Sequence, residues 1–269
     1  MCRFAKYIAV EKGFLEDAAS LYDQSGNYPT LGRELVFLSH LDEFLEEKAE
    51  EPHPADTWLH SLPIMTARRG QMFLGMKGGH SDESHDHNDV GSFVVYHNGK
   101  SILVDPGVGE YTSKTFSKER YTIWTMQSAY HNLPQVSGFD QHEGRKYAAH
   151  DVKYSKGMLS LDLRDCYPSD AGIKKWNRTV AINKKGVVTL TDDYLLEKVV
   201  SPVREMFVSA VCPVLDEQKG VISLGSCSLS YPQSVCDVDI QPRSDRLEPM
   251  LRSMWPEGLW RIVLTSQNM

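Results

Sequence analysis

Residues 92–105 read SFVVYHNGKSILVD, which is two short runs rich in β-branched and aromatic residues around a central Asn98-Gly99 pair. Asn and Gly both accept the positive φ angles of a type I′ turn, so this stretch predicts a two-residue β-hairpin. A second hairpin is predicted at Lys184-Lys185-Gly186.

Similar short runs recur from residue 71 to the C-terminal end. They cover residues 71–76, 92–97, 100–105, 151–154, 158–163, 179–183, 186–192, 203–211, 221–224 and 260–265. Many strands at close spacing, with almost no helical pattern between them, predict antiparallel sheets packed face to face. We therefore expect a mainly β chain built around a large antiparallel β-sandwich and preceded by a short α-helical segment.

Residues 1–55 form that helical segment in our interpretation. Two stripes of apolar residues follow helical spacing, one from Phe14 to Tyr22 and one from Leu31 to Leu45, and Gly26 and Pro29 separate them. Residues 50–54, EEPHP, have the composition of a linker. The β-sandwich is then expected over residues 56–269.

The overall composition limits the possible partners. The net charge of −7 argues against a nucleic-acid-binding protein, because such proteins need a basic surface. No apolar run is long enough for a transmembrane helix, so no membrane partner is expected. The first residues lack the apolar core of a signal peptide, which leaves either a cytoplasmic chain or one whose leader is absent from this sequence.

A dense group of histidines and carboxylates precedes the hairpin. His80, His85 and His87 lie within eight residues, and the last two belong to ESHDHND at residues 83–89. In an extended segment His85, His87 and Asp89 would project to one face. The hairpin returns the chain to this region at Asp105. However, simple pairing places Asp105 on the face opposite His87 unless the chain bends or bulges near Gly91.

A third histidine completes a candidate metal site. His131 lies in SAYHN, residues 128–132. Two imidazoles and one carboxylate with an open position suit a zinc ion, whether structural or catalytic. The alternative is that these histidines are surface or hydrogen-bonded loop residues, because no short-range metal-binding signature joins them.

Three blocks of sequence together resemble the heparinase II/III-like polysaccharide lyases. They are KGGH…ESHDHNDVGSF over residues 77–93, VDPG over residues 104–107, and RY…SAYHN over residues 120–132. The resemblance implies a super-sandwich β domain with a zinc ion held by His87, Asp105 and His131. It also implies that His85 points into the substrate cleft, and that Tyr121 falls near a position where some members carry a catalytic tyrosine.

The resemblance also implies partners. In full-length members the β domain packs on a helical α/α toroid, with the cleft between them, so residues 1–55 resemble the end of such a toroid and the chain resembles a C-terminal portion of a lyase. An acidic polysaccharide is the implied substrate, and a bacterial periplasmic or extracellular location follows from it. A homodimer is left open.

The implied reaction is β-elimination of uronic-acid polysaccharides of the glycosaminoglycan or alginate type. We assign His85 as the acid/base or carboxylate contact, Tyr121 as a supporting catalytic group and Arg120 as a contact to the anionic sugar. The zinc is expected to be structural, and this chain alone is expected to have little activity without the toroid. Two other functions remain open: a non-catalytic carbohydrate-binding or scaffolding β domain with a structural zinc, and a zinc hydrolase.

Overall fold

The computed structural model describes residues 31–46, 48 and 54–267. Its contacts divide the chain into two units, Met1–Pro54 and Ala55–Met269. The described part of the first unit contains helices α1 (Leu31–Ser39) and α2 (Leu41–Glu46). These helices carry the second apolar stripe predicted from the sequence. The first stripe, from Phe14 to Tyr22, lies outside the described residues.

The described part of the second unit is built mainly from β-strands. The strands are β1 (Asp56–Leu59), β2 (Ile64–Arg69), β3 (Met72–Lys77), β4 (His80–Ser81), β5 (Phe93–His97), β6 (Lys100–Leu103), β7 (Pro134–Gln135), β8 (Gly144–Ala148), β9 (His150–Ser155), β10 (Met158–Asp162), β11 (Ile173–Ile182), β12 (Val188–Leu196), β13 (Arg204–Ser209), β14 (Val214–Asp216), β15 (Val221–Leu224), β16 (Cys227–Ser230), β17 (Cys236–Pro242) and β18 (Trp260–Ser266). A short helix, α3 (Pro249–Met254), precedes β18.

The strands pair in an antiparallel manner throughout the described sheets. The largest sheet has the strand order β1-β2-β3-β5-β6-β13-β18-β17, with β7 joined to β13. A second sheet has the order β12-β11-β10-β9, and smaller sheets contain β14-β15-β16 and β4-β8. One apolar core joins the two large sheets: Leu74 and Phe93 of the first belong to the same buried cluster as Leu161 and Trp176 of the second. The predicted fold class, a mainly β chain built around an antiparallel sandwich, is confirmed.

All ten runs predicted as strands from the sequence are strands in the structure, and both predicted hairpins are present. His97 pairs with Lys100 across the Asn98-Gly99 turn, where Asn98 has φ 51° and Gly99 has φ 73°. Ile182 pairs with Val188 across the second turn. The sequence analysis missed several strands, such as the two-residue β4, which is too short to show a pattern, and β17, whose alternating Cys236, Val238 and Ile240 pack against the core.

The first hairpin contains a β-bulge that decides where Asp105 points. Tyr96 pairs with Ser101, but Val95 pairs with Leu103, so the pairing skips Ile102. One extra residue on β6 changes the register by one and turns the following side chains to the other face of the sheet. Simple pairing would place Asp105 and His87 on opposite faces of the sheet. The bulge in the hairpin and the bend at Gly91 together remove this obstacle.

Gly91 itself forms the bend expected from the sequence. Its φ is +86°, and a Cβ atom at this position would lie 2.7 Å from Leu163 Cδ2. Real Cβ contacts are essentially never that short, so any other residue would displace Leu163 and also be strained by the positive φ. The loop before β5 therefore lies directly against the residue that follows β10, at the edge of the sandwich core.

Candidate functional site

The segment that carries His85 and His87 is a loop. The sequence analysis expected an extended segment with His85, His87 and Asp89 on one face, and this is wrong because His85 has φ 62° and reverses the local direction of the chain. His85 is exposed, whereas Asp86 and Asn88 are buried and anchor the loop. The ring of His87 lies 5.3 Å, centroid to centroid, from the ring of His131.

His87, Asp105 and His131 come together and form what we call the histidine cluster. Each offers a ligand atom, and these atoms all lie within 4.8 Å of one another. His131 Nδ1 is 2.9 Å from Asp105 Oδ2, but neither ring nitrogen of this fully buried histidine has an aligned hydrogen-bond partner among the described residues. Buried polar atoms are rarely left in that state, so the donor set fits a divalent cation such as zinc. That the cluster holds zinc stays a prediction.

The electrostatics of two members of the histidine cluster, His87 and Asp105, also suit metal ligands. Burial lowers the pKa of His87 to about 4, despite the opposing effect of Asp105, so this imidazole is neutral at pH 7. Burial opposes the charge on Asp105, yet His131 and His87 together hold its pKa below the usual range. Burial likewise opposes a charge on His131, but Asp105 outweighs it and raises the pKa of His131. A neutral imidazole and an ionised carboxylate are the forms that bind zinc.

A half-buried lysine fixes the loop on both sides of His87. Lys77 Nζ, at the end of β3, contacts the carboxylates of Asp86 and Asp89, the second at 2.6 Å. Burial works against the charge on Lys77, but the two carboxylates outweigh it and raise its pKa. Because Asp86 and Asp89 bracket His87 in sequence, this interaction holds the histidine against the sheet.

Asn132 joins the segments that carry the three members of the histidine cluster. Its side-chain Nδ2 donates to the carbonyls of Phe93 (2.6 Å) and Val104 (3.2 Å), and its Oδ1 accepts from the backbone N–H of Val208 (2.7 Å). Its own backbone N–H donates to Ser92 Oγ at 3.2 Å. The start and end of the hairpin and the residue after His131 are thus held at one point. The sequence analysis did not assign Asn132 any role.

A second buried charged group, the arginine cluster, lies on the other side of Asn132. The fully buried Arg178 of β11 donates to Asp192 Oδ1 and Oδ2 at 2.9 and 2.7 Å, and to both carboxylate oxygens of Glu205 at 2.7 Å. Its Nη1 also donates to the Asn132 carbonyl at 2.9 Å. The two clusters are therefore linked through one residue. The sequence analysis did not identify the arginine cluster.

Arg120 lies beside the loop and supports it. Its Nε and Nη2 donate to the carbonyl of Asp86 at 3.1 and 2.8 Å, and its Nη1 donates to the carbonyl of Thr115 at 3.0 Å. These contacts occupy three of its five N–H groups. The predicted contact between Arg120 and an anionic sugar stays a prediction, to be made by the remaining donors.

Two tyrosines, Tyr121 and Tyr111, lie near this site, and only Tyr111 contacts His85 through its hydroxyl. Burial raises the pKa of the partly buried Tyr121, and its backbone carbonyl accepts a hydrogen bond from Gln127 Nε2. The hydroxyl that the structure places 3.4 Å from His85 Nδ1 belongs to Tyr111. The sequence analysis missed Tyr111, although it follows the VDPG block by four residues.

A large cavity in the described part of the chain lies elsewhere. It has a volume of about 920 Å³, and its walls come mainly from apolar residues of β5, β6, β12 and β16. Asp192 and Glu205 of the arginine cluster reach it, but no member of the histidine cluster does. Among residues 31–46, 48 and 54–267, no helix has the length and apolar character needed to cross a bilayer.

Comparison with solved structures finds lyases with the same fold. A heparinase III matches with a TM-score of 0.59 and 13% identity, over 86% of this chain and 36% of its own length. Heparan sulfate lyase HepC from Pedobacter heparinus matches with a TM-score of 0.54 and 16% identity, over 88% of this chain and 39% of its own. The chain thus spans little more than a third of these proteins, and identities this low show the fold alone.

Comparison of the sequence gives the family. No protein with a curated description matches the chain. The family model of the heparinase II/III-like C-terminal region matches residues 52–198, which is more than half of the chain and includes the whole histidine cluster, His85 and Arg120. The suspected family is thereby confirmed. The chain belongs to the heparinase II/III-like family, a family of polysaccharide lyases, and contains its C-terminal β domain.

Proposed function

We propose that this chain supplies the β-domain side of a lyase that cleaves uronic-acid polysaccharides by β-elimination, with His85 facing the substrate. The observation that carries the proposal is the position of His85. It is exposed directly before the buried Asp86, it has a positive φ, and it lies two residues from a member of the histidine cluster. Backbone strain of this kind concentrates at functional sites.

The chemistry of β-elimination needs what His85 can offer. The proton at C5 of the uronate lies α to a carboxylate, and removing it builds negative charge on that group. An imidazole can accept or donate this proton near neutral pH. Because the Tyr111 hydroxyl lies against Nδ1, the Nε2 atom of His85 is the one left for proton transfer with the sugar.

His87, Asp105 and His131 would hold a zinc ion next to this loop. Bound there, the ion would supply a fixed positive charge and a rigid link between three segments of chain. The protein's own part is to orient these ligands, which Lys77 does through Asp86 and Asp89, and Asn132 does through the hairpin. We propose a structural role for the ion, since it would fix the wall of the cleft that carries His85.

The remaining parts of the proposal concern the whole protein. The substrate is an acidic polysaccharide of the glycosaminoglycan or alginate type, and the N-terminal α/α toroid of the whole protein is the expected partner of this β domain. Tyr121 supports the reaction from this wall. The protein acts in the periplasm or outside a bacterial cell, where such polymers are found.

Production of an unsaturated sugar tests the proposal. The protein, both as this chain and as the full product of its gene, is incubated with heparan sulfate and with alginate while the ultraviolet absorbance of the unsaturated uronate is followed. We expect His85→Asn to lower the rate by about 100-fold or more, the usual contribution of a general acid or base. His142→Asn, which changes an exposed histidine outside the loop, should leave the rate unchanged.

Three results would contradict the proposal. They are cleavage without an unsaturated product, as expected of a zinc hydrolase; no product from either form of the protein, as expected of a binding or scaffolding domain; and a rate that His85→Asn does not change.

A further inference from the structure

Two aromatic side chains lie exposed next to His85. Tyr111 is 48% exposed and Phe116 is 70% exposed, which makes them the most exposed aromatic residues of the described part of the chain. Their rings stack on each other with centroids 5.6 Å apart and an angle of 29° between their planes. Exposed apolar rings side by side are typical of a surface that binds something.

The aromatic pair is in contact with the residue proposed to act on substrate. The ring of Tyr111 meets the ring of His85 edge to face, with centroids 6.0 Å apart, and its hydroxyl is 3.4 Å from His85 Nδ1. A molecule that lies on Tyr111 and Phe116 therefore also reaches His85.

The pair is held at a fixed distance from the loop that carries His85. Phe116 ends a single 3-10 turn, Ser113–Phe116, whose Thr115 is buried. Arg120 donates to the Thr115 carbonyl with one nitrogen and to the Asp86 carbonyl with two others. The same guanidinium thus joins the turn of Phe116 to the neighbour of His85. A surface held in this way binds without a large ordering cost.

The shape and charge of this surface suit an acidic sugar. A pyranose ring has C–H faces that stack on aromatic rings and polar edges that need hydrogen-bond partners, and an aromatic pair with an imidazole at its rim offers both. Residues 110–120 contain Lys114, Lys118 and Arg120 against Glu110 and Glu119, in a chain whose net charge is −7. A local excess of positive charge favours an anionic ligand.

We propose that Tyr111 and Phe116 form a carbohydrate-binding platform for the acidic sugar ring adjacent to the one that reacts at His85. The proposal rests on the proposed function and deepens it, since it assigns a subsite to residues that the histidine cluster does not include. Phe116 binds the sugar face, and Tyr111 both binds the sugar and orients the His85 ring.

Binding measurements with matched variants test the platform. The full chain and its variants are titrated calorimetrically with short heparan sulfate and alginate oligosaccharides. We expect Phe116→Ala and Tyr111→Ala each to weaken binding by about 3- to 10-fold, the range for loss of one aromatic contact. Phe116→Tyr keeps the ring and should bind as tightly as the unchanged chain. Val214→Ala, which shortens a side chain that is 64% exposed on β14, should have no effect.

A spectroscopic signature separates direct stacking from an indirect effect on folding. Sugar protons over an aromatic face move upfield in the proton spectrum. This shift should appear with the unchanged chain and with Phe116→Tyr, and it should be smaller with Phe116→Leu. Any of three results would overturn the platform: alanine variants that bind as tightly as the unchanged chain, no upfield shift with the unchanged chain, or no binding by the unchanged chain. The absence of an unsaturated product would not overturn the platform. It would contradict the proposed function, whereas the platform is tested by binding.

Discussion

The histidine cluster and the arginine cluster are both buried groups of charged side chains, and they differ in how their polar atoms are satisfied. Arg178 donates to Asp192, Glu205 and the Asn132 carbonyl, and Asp192 also accepts from Trp176 Nε1 at 3.0 Å. By contrast, both ring nitrogens of the buried His131 lack an aligned partner among the described residues. A cluster that the protein satisfies by itself serves the fold, whereas convergent donors without partners point to a ligand.

Removing the centre of the arginine cluster should have the largest effect. Arg178→Met leaves the carboxylates of Asp192 and Glu205 buried without their partner, so we expect a loss of about 3–5 kcal/mol in the free energy of unfolding. Denaturant titration measures it. The control is Arg204→Met, which removes an exposed arginine at the start of β13. It should lower the free energy of unfolding by less than about 0.5 kcal/mol. Equal losses in the two variants would mean that the arginine cluster does not stabilise the fold.

Adding zinc should distinguish the histidine cluster from the arginine cluster. At a hundredfold excess over its dissociation constant, an ion that binds only the folded protein stabilises it by about 3 kcal/mol. We expect this rise in melting temperature for the unchanged chain and for His142→Ala, and its absence for His87→Ala, with bound zinc measured in the same samples. The same zinc content and the same rise in His87→Ala would refute the assignment of this residue as a ligand.

A smaller effect should appear in the pH dependence of stability. One guanidinium faces two carboxylates, and burial raises the pKa of Glu205 from 4.5 to about 8. Between these pH values the folded state keeps a proton that the unfolded state releases, so this contribution is complete below pH 4.5 and is lost as the pH rises through about 8. Glu205→Gln cannot lose a proton. Its stability should therefore decline less across this range.

Melting temperatures of both proteins at several pH values between 4.5 and 8 check this expectation. Parallel profiles for the unchanged chain and Glu205→Gln would show that Glu205 is ionised in the folded protein throughout the range, and that Arg178 neutralises both carboxylates.

The sandwich could be predicted from the sequence because its evidence is local. Strand alternation and the Asn98-Gly99 turn depend on residues close together in the chain, and ten strands and two hairpins followed from them. Strands such as β14 and β16 could not be predicted, because they are short and their side chains are only partly buried. Their pairing with β15 is what makes them strands.

The candidate site could be predicted only in part, for the same reason. The residues of the histidine cluster stand out by type and by family resemblance, but the bulge at Ile102 and the positive φ of His85 follow from packing between distant segments. Tyr111 and Asn132 acquire their roles from contacts with residues 26 or more positions away. No periodicity of the sequence records such contacts.

The close approach of Gly91 to Leu163 has a consequence for how this domain can diversify. The loop with His85 packs on the sandwich core through Gly91, so an outward movement would leave a cavity at that edge. A larger side chain beneath the loop would displace it. The ring of Phe116 has no such restriction, because it faces solvent. Substitutions at position 116 can therefore change the exposed surface while the loop beneath keeps its packing against the core.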